Sequence, residues 1–225
     1  LPGVGRLRLS SVEPPMLEGG FIPRLAALPQ VRKAAGDRAV NRAFHIYAEN
    51  RRAAGEAQAL RDGKLPLRVT HNDTKINNVL LDADTRKALC VIDLDTVMPG
   101  LSVFDFGDAI RFGASTAAED ETDLSKVSLD LELFRVFPRG FVEPCPTLTE
   151  REIDALQLGA YTMTLECGMR FLTDYLNGDK YFSIDREKHN LDRARTQFKL
   201  VRDMEQKWGQ MAKIVSEESK RQVKC

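Results

Sequence analysis

The chain has 225 residues, 33 of them basic and 33 acidic, so its formal net charge is zero. This balance lacks the basic excess that nucleic acid or an anionic membrane surface requires, and no apolar run reaches membrane-spanning length. No nucleic-acid partner and no membrane partner is expected, and a hydrophobic content of 43% supplies a core for one large domain or two small ones.

Residues 1–30 are punctuated by Pro2, Pro14, Pro15, Pro23 and Pro29 and read as irregular. Residues 37–61, rich in Ala, Arg and Glu, read as a helix that stops before Asp62-Gly63-Lys64. The chain opens on Leu1, not Met, and shows no signal peptide, which suggests a fragment. The domain reading is an irregular and helical lead-in over 1–64 and a lobe over 65–225.

Strand signals fill "LPLRVTHNDTKINNVLLDADTRKALCVIDLD" from residue 65 onward. Residues 119–137 then predict an amphipathic helix, with Leu124, Val127, Leu131 and Phe134 on one face and acids in the first turn. Thr149 and Glu152 have the spacing of a capping box, and Leu148 with Ile153 that of a hydrophobic staple. The helix they start extends to Asn177-Gly178, with room for a break on the way. A last helix is predicted over about 185–216, with Leu191, Phe198, Met204, Trp208 and Met211 inward.

Cys90, Cys145, Cys167 and Cys225 include no C-x-x-C pair, and His45, His71 and His189 are scattered, so neither a zinc site nor a disulfide framework is expected. A reducing, cytoplasmic location fits this usage. Cys90 lies in an apolar run and reads as a buried thiol.

The chemistry concentrates in "VTHNDTKINNVLLD", residues 69–82. His71, Asn72, Asp73, Lys75, Asn77 and Asn78 crowd between two apolar runs with no Gly or Pro, more hydrogen-bonding side chains than a plain turn uses. "VLLD" and "ALCVID" predict a hairpin that pairs Val79 with Ile92, Leu80 with Val91 and Leu81 with Cys90, closed by Asp84-Thr85-Arg86-Lys87. One step further that register sets Asn78 opposite Asp93, with Asp73 in the loop feeding the same end. Two acids and an amide oxygen around one point suit Mg²⁺. Structural capping of the hairpin ends is the plainer alternative.

His71, Asp73 and Asn78 form H-x-D-x-x-x-x-N, which resembles the catalytic loop of the protein-kinase-like superfamily. The literal Asp105-Phe106-Gly107 lies too far beyond the hairpin to face Asn78 by strand pairing. In small-molecule kinases of the aminoglycoside phosphotransferase type the metal motif is instead an Ile-Asp, here Ile92-Asp93. The resemblance therefore implies Asp93 as the metal ligand and a structural, loop-bracing role for Asp105. Asp95 either approaches a second ion or is solvated.

From Leu65 to the C-terminus, "LPLRVTHNDTKINNVLLD", "VIDLDTVMPGLSVFDFGDAIRFG", "ECGMRFLTDYLNGDKYF" and "HNLDRARTQFKLV" resemble the N-acetylhexosamine 1-kinase family. The resemblance implies an α+β, mainly α-helical, protein-kinase-like C-lobe and phosphoryl transfer from ATP to the anomeric hydroxyl of a sugar. It implies that Asp73 takes the hydroxyl proton, that Asn78 and Asp93 hold Mg²⁺, that His71 is structural and that Lys75 contacts phosphate. It points to Arg170 and Tyr181 as sugar contacts. Spacing alone makes Glu166, Arg170 and Asp174 a surface ion-pair ladder. Trp208 fits either the pocket or the core.

A kinase N-lobe needs a small sheet, a phosphate-covering loop and a strand Lys, and residues 1–64 have no evident room for these. The N-lobe is therefore expected to be absent and the chain alone inactive. Self-association is expected through the apolar face so exposed. The rival readings are another small-molecule kinase, for an aminoglycoside, choline or homoserine, and a non-catalytic binding module of kinase descent.

Overall fold

In the computed structural model the chain divides into two compact units at Lys64–Leu65. The structure describes residues 65–220, so the irregular segment, the helix and the missing lobe expected within 1–64 lie outside the described residues.

Two short antiparallel pairs are nested. The outer pair joins β1 (Arg68–Thr70) to β4 (Met98–Gly100), and the inner pair joins β2 (Val79–Leu81) to β3 (Ala88–Val91). The two connections between inner and outer pairs, residues 71–78 and 92–97, therefore lie at a shared end. They are tied together there: Thr96 Oγ1 donates to His71 O at 2.7 Å, Asn72 Nδ2 donates to Thr96 O at 3.1 Å, and His71 Nε2 lies 3.0 Å from Ile92 O.

The inner register differs from the predicted one by a residue. Val79 pairs with Val91 and Leu80 with Cys90, then a bulge brings Leu81 opposite Ala88. The turn is longer than expected, covering 82–87. Asp82 anchors it, accepting from Arg86 N and, through Oδ1, from Thr85 N and Oγ1. Such Asx bonding competes with the tight turn that the register assumed. Cys90 is exposed, not buried, as are the rest of its own strand and Leu80 and Leu81 of the other.

Six helices complete the described residues: α1 (Ser102–Gly113), α2 (Leu131–Val142), α3 (Glu150–Asp154), α4 (Leu156–Leu176), α5 (His189–Gln206) and α6 (Trp208–Lys220). The fold is α+β and mainly helical, the class the sequence indicates. None of these helices is long and apolar enough to cross a membrane.

The helix predicted over 119–137 is corrected to Leu131–Val142. Asp130 caps it, accepting from Glu132 N at 2.8 Å and Leu133 N at 3.0 Å. Upstream, Asp123 accepts from Ser125 N and Oγ, and that local bonding holds a 3-10 turn in place of a helix. Val127 and Phe134 are buried all the same. The Thr149–Glu152 capping box is complete, and the helix it starts breaks at Ala155 into α3 and α4. The last predicted helix likewise divides, at Lys207, into α5 and α6. Trp208 packs edge-on to the buried Tyr161 at 5.9 Å.

The core centres on α4, which packs on α1 and α5. Gly107 and Gly159 permit the α1–α4 crossing: a Cβ on Gly107 would sit 2.2 Å from Gly159 O, and one on Gly159 2.1 Å from Val103 O. Phe106 is buried edge-on against Phe134 and Phe141 at 6.1 and 5.4 Å.

Candidate active site

The loop between β1 and β2 is held from below by α1. Asp105, in the first turn of α1, accepts from His71 N through Oδ2 and from Asn72 N through Oδ1, both at 2.8 Å. Its backbone oxygen accepts from Thr74 Oγ1 at 2.5 Å. Burial pushes the Asp105 carboxyl above its usual range, against the pull of the two amide bonds. The three letters Asp105-Phe106-Gly107 thus bind the loop, fill the core and admit a neighbouring helix. Asn72 adopts a left-handed conformation, φ +63°, which Asn tolerates better than most residues.

Glu152 anchors the strand that enters the loop. Arg68 donates from Nε to Oε1 at 3.0 Å and from Nη2 to Oε2 at 2.8 Å. Ser102 Oγ and Thr149 N add bonds of 2.8 Å each. Burial opposes the Glu152 charge, but the bonds from Arg68, Thr149 and Ser102 prevail and lower its pKa to about 2. The sequence shows Glu152 only as half of a capping box. Its link to Arg68, 84 residues away, has no local signal.

Above these anchors the polar side chains converge. Asp73 Oδ2 accepts from Lys75 Nζ at 2.9 Å and from Asn78 Nδ2 at 3.0 Å, and Asn78 Nδ2 also reaches Asp73 O at 2.9 Å. Asn78 is buried. It does not face Asp93 across the ladder: Ile92 N donates to Asn78 O, so Ile92 is its partner. Asp93 follows that pair, off the ladder, in a left-handed conformation, φ +63°, at the entry to a 3-10 turn. Its carboxyl is raised above the usual range by a hydrogen bond with Asp95, by partial desolvation and by the charges of Asp95 and Asp73, while Lys75 acts the other way. Asp93 is thus electrostatically coupled to Asp73 and Lys75, and Asp95 is part of the group.

These carboxylates repel one another, and a hard dication would relieve the repulsion. Asp93, Asp95 and the amide oxygen of Asn78 could offer oxygen donors, the kind Mg²⁺ takes. Among the described residues no three His, Cys, Asp or Glu side chains form a metal cage by themselves. Mg²⁺ bound on one or two carboxylates plus nucleotide phosphates needs no such cage.

The other predicted residues gather at the end of α4. Arg170 lies 5.8 Å from the Tyr181 ring centroid and 5.3 Å from that of Phe182. Glu166 pairs with Arg170 at 3.7 Å. Burial raises the Glu166 carboxyl to about 7, with Arg170 and Arg111 opposing and Asp108 adding to the rise. Asp174 belongs to no surface ion-pair ladder: it is buried and bonded to the loop that follows α4. Spacing missed Phe182, which only its contact with Arg170 reveals.

A helical lobe that carries a nested hairpin, with Asp73 and Asn78 on one connection and Asp93 on the other, is a protein-kinase-like catalytic lobe. The model of the phosphotransferase enzyme family matches residues 6–130, and the chain belongs to that family. The match begins well upstream of Leu65, where the sequence reading placed the start of the resemblance, and it ends before α2.

Proposed function

We propose that the chain carries the catalytic lobe of an ATP- and Mg²⁺-dependent kinase that phosphorylates the anomeric hydroxyl of an N-acetylhexosamine. The observation that carries this reading is the hydrogen bonding of Asp73. Among the described residues the side-chain donors to its carboxylate are Lys75 and Asn78, and both reach Oδ2. Oδ1 is then the oxygen that accepts from the sugar hydroxyl, orients it and takes its proton. Asn78 Oδ1 and Asp93 would hold Mg²⁺, which when bound would supply charge neutralisation on the nucleotide phosphates. Lys75 exchanges part of its pairing with Asp73 for a phosphate oxygen. In phosphoryl transfer such positioning and charge neutralisation supply most of the rate.

Arg170, Tyr181 and Phe182 support a neutral sugar over a cationic acceptor. The guanidinium already lies against both rings, so it repels an aminoglycoside or choline and occupies faces that would bind a cation. It supplies a hydrogen-bond fork beside an aromatic plane.

The test is a phosphoryl-transfer assay of the full-length protein across N-acetylglucosamine, N-acetylgalactosamine, unsubstituted hexoses, an aminoglycoside, choline and homoserine. Mg²⁺-dependent formation of a sugar 1-phosphate from the N-acetylhexosamines, well ahead of the others, is expected. Preferred turnover of a cationic acceptor overturns the substrate assignment. Tight binding without turnover of any acceptor makes the protein a binding module.

A further inference from the structure

Asp174 sits in the last turn of α4, where the helix dipole opposes a negative charge, and it is only 6% exposed. A carboxylate is costly in such a place unless hydrogen bonds meet it. Here they do. Oδ1 accepts from Lys180 N at 3.0 Å and Tyr181 N at 2.9 Å, and Oδ2 accepts from Phe182 N at 2.9 Å and Asn190 Nδ2 at 3.0 Å.

Ending the helix needs none of these bonds. Gly178, φ +86°, and Asp179, φ +53°, turn the chain, with Gly178 N on Tyr175 O and Asp179 N on Asp174 O, a complete Schellman closure. The carboxylate therefore acts beyond the cap, gathering three successive amides of the loop that follows. A second tie doubles it: Asn190, fully buried on α5, also donates to Asp179 Oδ1 at 2.9 Å, and Arg193 donates to Asn190 Oδ1 at 3.0 Å and to Ser183 O at 2.9 Å.

Two of the amides so held belong to Tyr181 and Phe182. Tyr181 is 55% exposed, so burial of its ring does little to orient it. Its amide is fixed by Asp174, and its ring meets Phe182 edge-on at 4.7 Å. Phe182 rests on Phe171 at 4.7 Å, and both rings meet Arg170. We propose that Asp174, acting through the amides of Lys180, Tyr181 and Phe182, is the positioning residue that presets the acceptor-binding face formed by Arg170, Tyr181 and Phe182. The inference rests on the reading of Arg170 and Tyr181 as acceptor contacts. A loop fixed before binding spares the ordering cost at that moment.

The experiment compares Tyr181→Ala, Asp174→Ala and Asp174→Asn in the full-length protein. KM for N-acetylglucosamine, KM for ATP and kcat are measured, with hydrogen exchange over residues 179–183 as a second readout. Tyr181→Ala and Asp174→Ala are each expected to raise the sugar KM at least tenfold and leave the ATP KM within about twofold. Asp174→Ala alone should deprotect the amides of 180–182. Asp174→Asn should fall between, because its Oδ1 keeps two bonds while its Nδ2 faces two donors. If Tyr181→Ala raises the sugar KM and Asp174→Ala does not, the positioning role is wrong and the acceptor site stands. If Tyr181→Ala changes nothing, or the unsubstituted protein does not turn over N-acetylglucosamine, the acceptor reading is wrong and the inference falls with it. Equal rises in both KM values in Asp174→Ala would reduce Asp174 to general stability. Should Asp174→Ala not fold, Asp174→Asn and Asn190→Ala carry the same comparison.

Discussion

In the inner hairpin Leu80, Leu81, Leu89 and Val91 are between 44% and 64% exposed, whereas Tyr161 of α4 and Ala194, Leu200 and Val201 of α5 are at most 1% exposed. The hairpin has almost no core of its own, and a two-stranded ribbon is marginal without one. It is held instead by bonds to a few groups rooted in the helices: Asp105 under the loop and Glu152 under the strand. The helices divide their labour differently, since tight packing at Gly107 and Gly159 needs no polar anchor. The chemistry proposed for this chain thus falls on the region with the least packing, and its precision is borrowed from carboxylates rooted in the helices. Substitutions should separate along that line, costing turnover in the hairpin loops and stability at the anchors.

The largest effect is expected at Asp73. Asp73→Asn should lower kcat by about 10²- to 10⁴-fold, the usual contribution of a positioned base, with an unchanged thermal midpoint. Steady-state kinetics alongside a melting curve would check it, and retention of more than about a tenth of the rate would remove Asp73 from the chemistry. Glu152→Ala comes next. It strands the half-buried Arg68 and unties Ser102 and Thr149, and should destabilise by about 1–3 kcal/mol, the cost of leaving hydrogen-bonding partners unmet. Denaturant unfolding measures this, and a loss below about 1 kcal/mol would show that the hairpin does not depend on that anchor.

The smallest effect is one of pH. The Glu166 carboxyl is raised to about 7 in the folded chain, so the folded state holds a proton that the unfolded state releases from about pH 4.5 upward. Its contribution to stability therefore falls as pH rises from about 4.5 to about 7, by on the order of 1–3 kcal/mol. Glu152 has the opposite sign: with a folded value of about 2, its stabilisation is complete above about pH 4.5 and is lost as pH falls toward 2. Glu166→Gln should flatten the first slope and leave the second untouched in unfolding free energies measured at several pH values.

How much of this was legible in the sequence depended on the range of each interaction. The capping box at Thr149–Glu152 and the motif of His71, Asp73 and Asn78 are local patterns, and both stand at the positions read for them. The hairpin register was missed by one residue because Asp82 builds a longer turn from its own side chain, a choice apolar alternation does not encode. The 119–130 stretch kept Val127 inward, with Leu124 half-buried, but not its helix, since Asp123 and Asp130 satisfy the backbone locally. Asp174 was invisible as an anchor: its partners lie in a loop and on another helix, while its i, i+4, i+8 spacing with Glu166 and Arg170 suggests a surface stripe.

The most direct measurement is a crossed comparison of Asp93→Asn and Asp105→Asn, with Mg²⁺-dependent turnover and thermal midpoint recorded for each. Asp93 lies on the exposed turn beside Asp73 and Asp95, whereas Asp105 accepts two loop amides. Asp93→Asn is predicted to abolish turnover at an unchanged midpoint. Asp105→Asn, which places an N–H donor against a backbone N–H, is predicted to lower the midpoint by several degrees and keep measurable, Mg²⁺-dependent turnover in the folded fraction. The reverse result, with turnover lost at full stability in Asp105→Asn and kept in Asp93→Asn, would return the metal to the literal Asp-Phe-Gly and contradict the account.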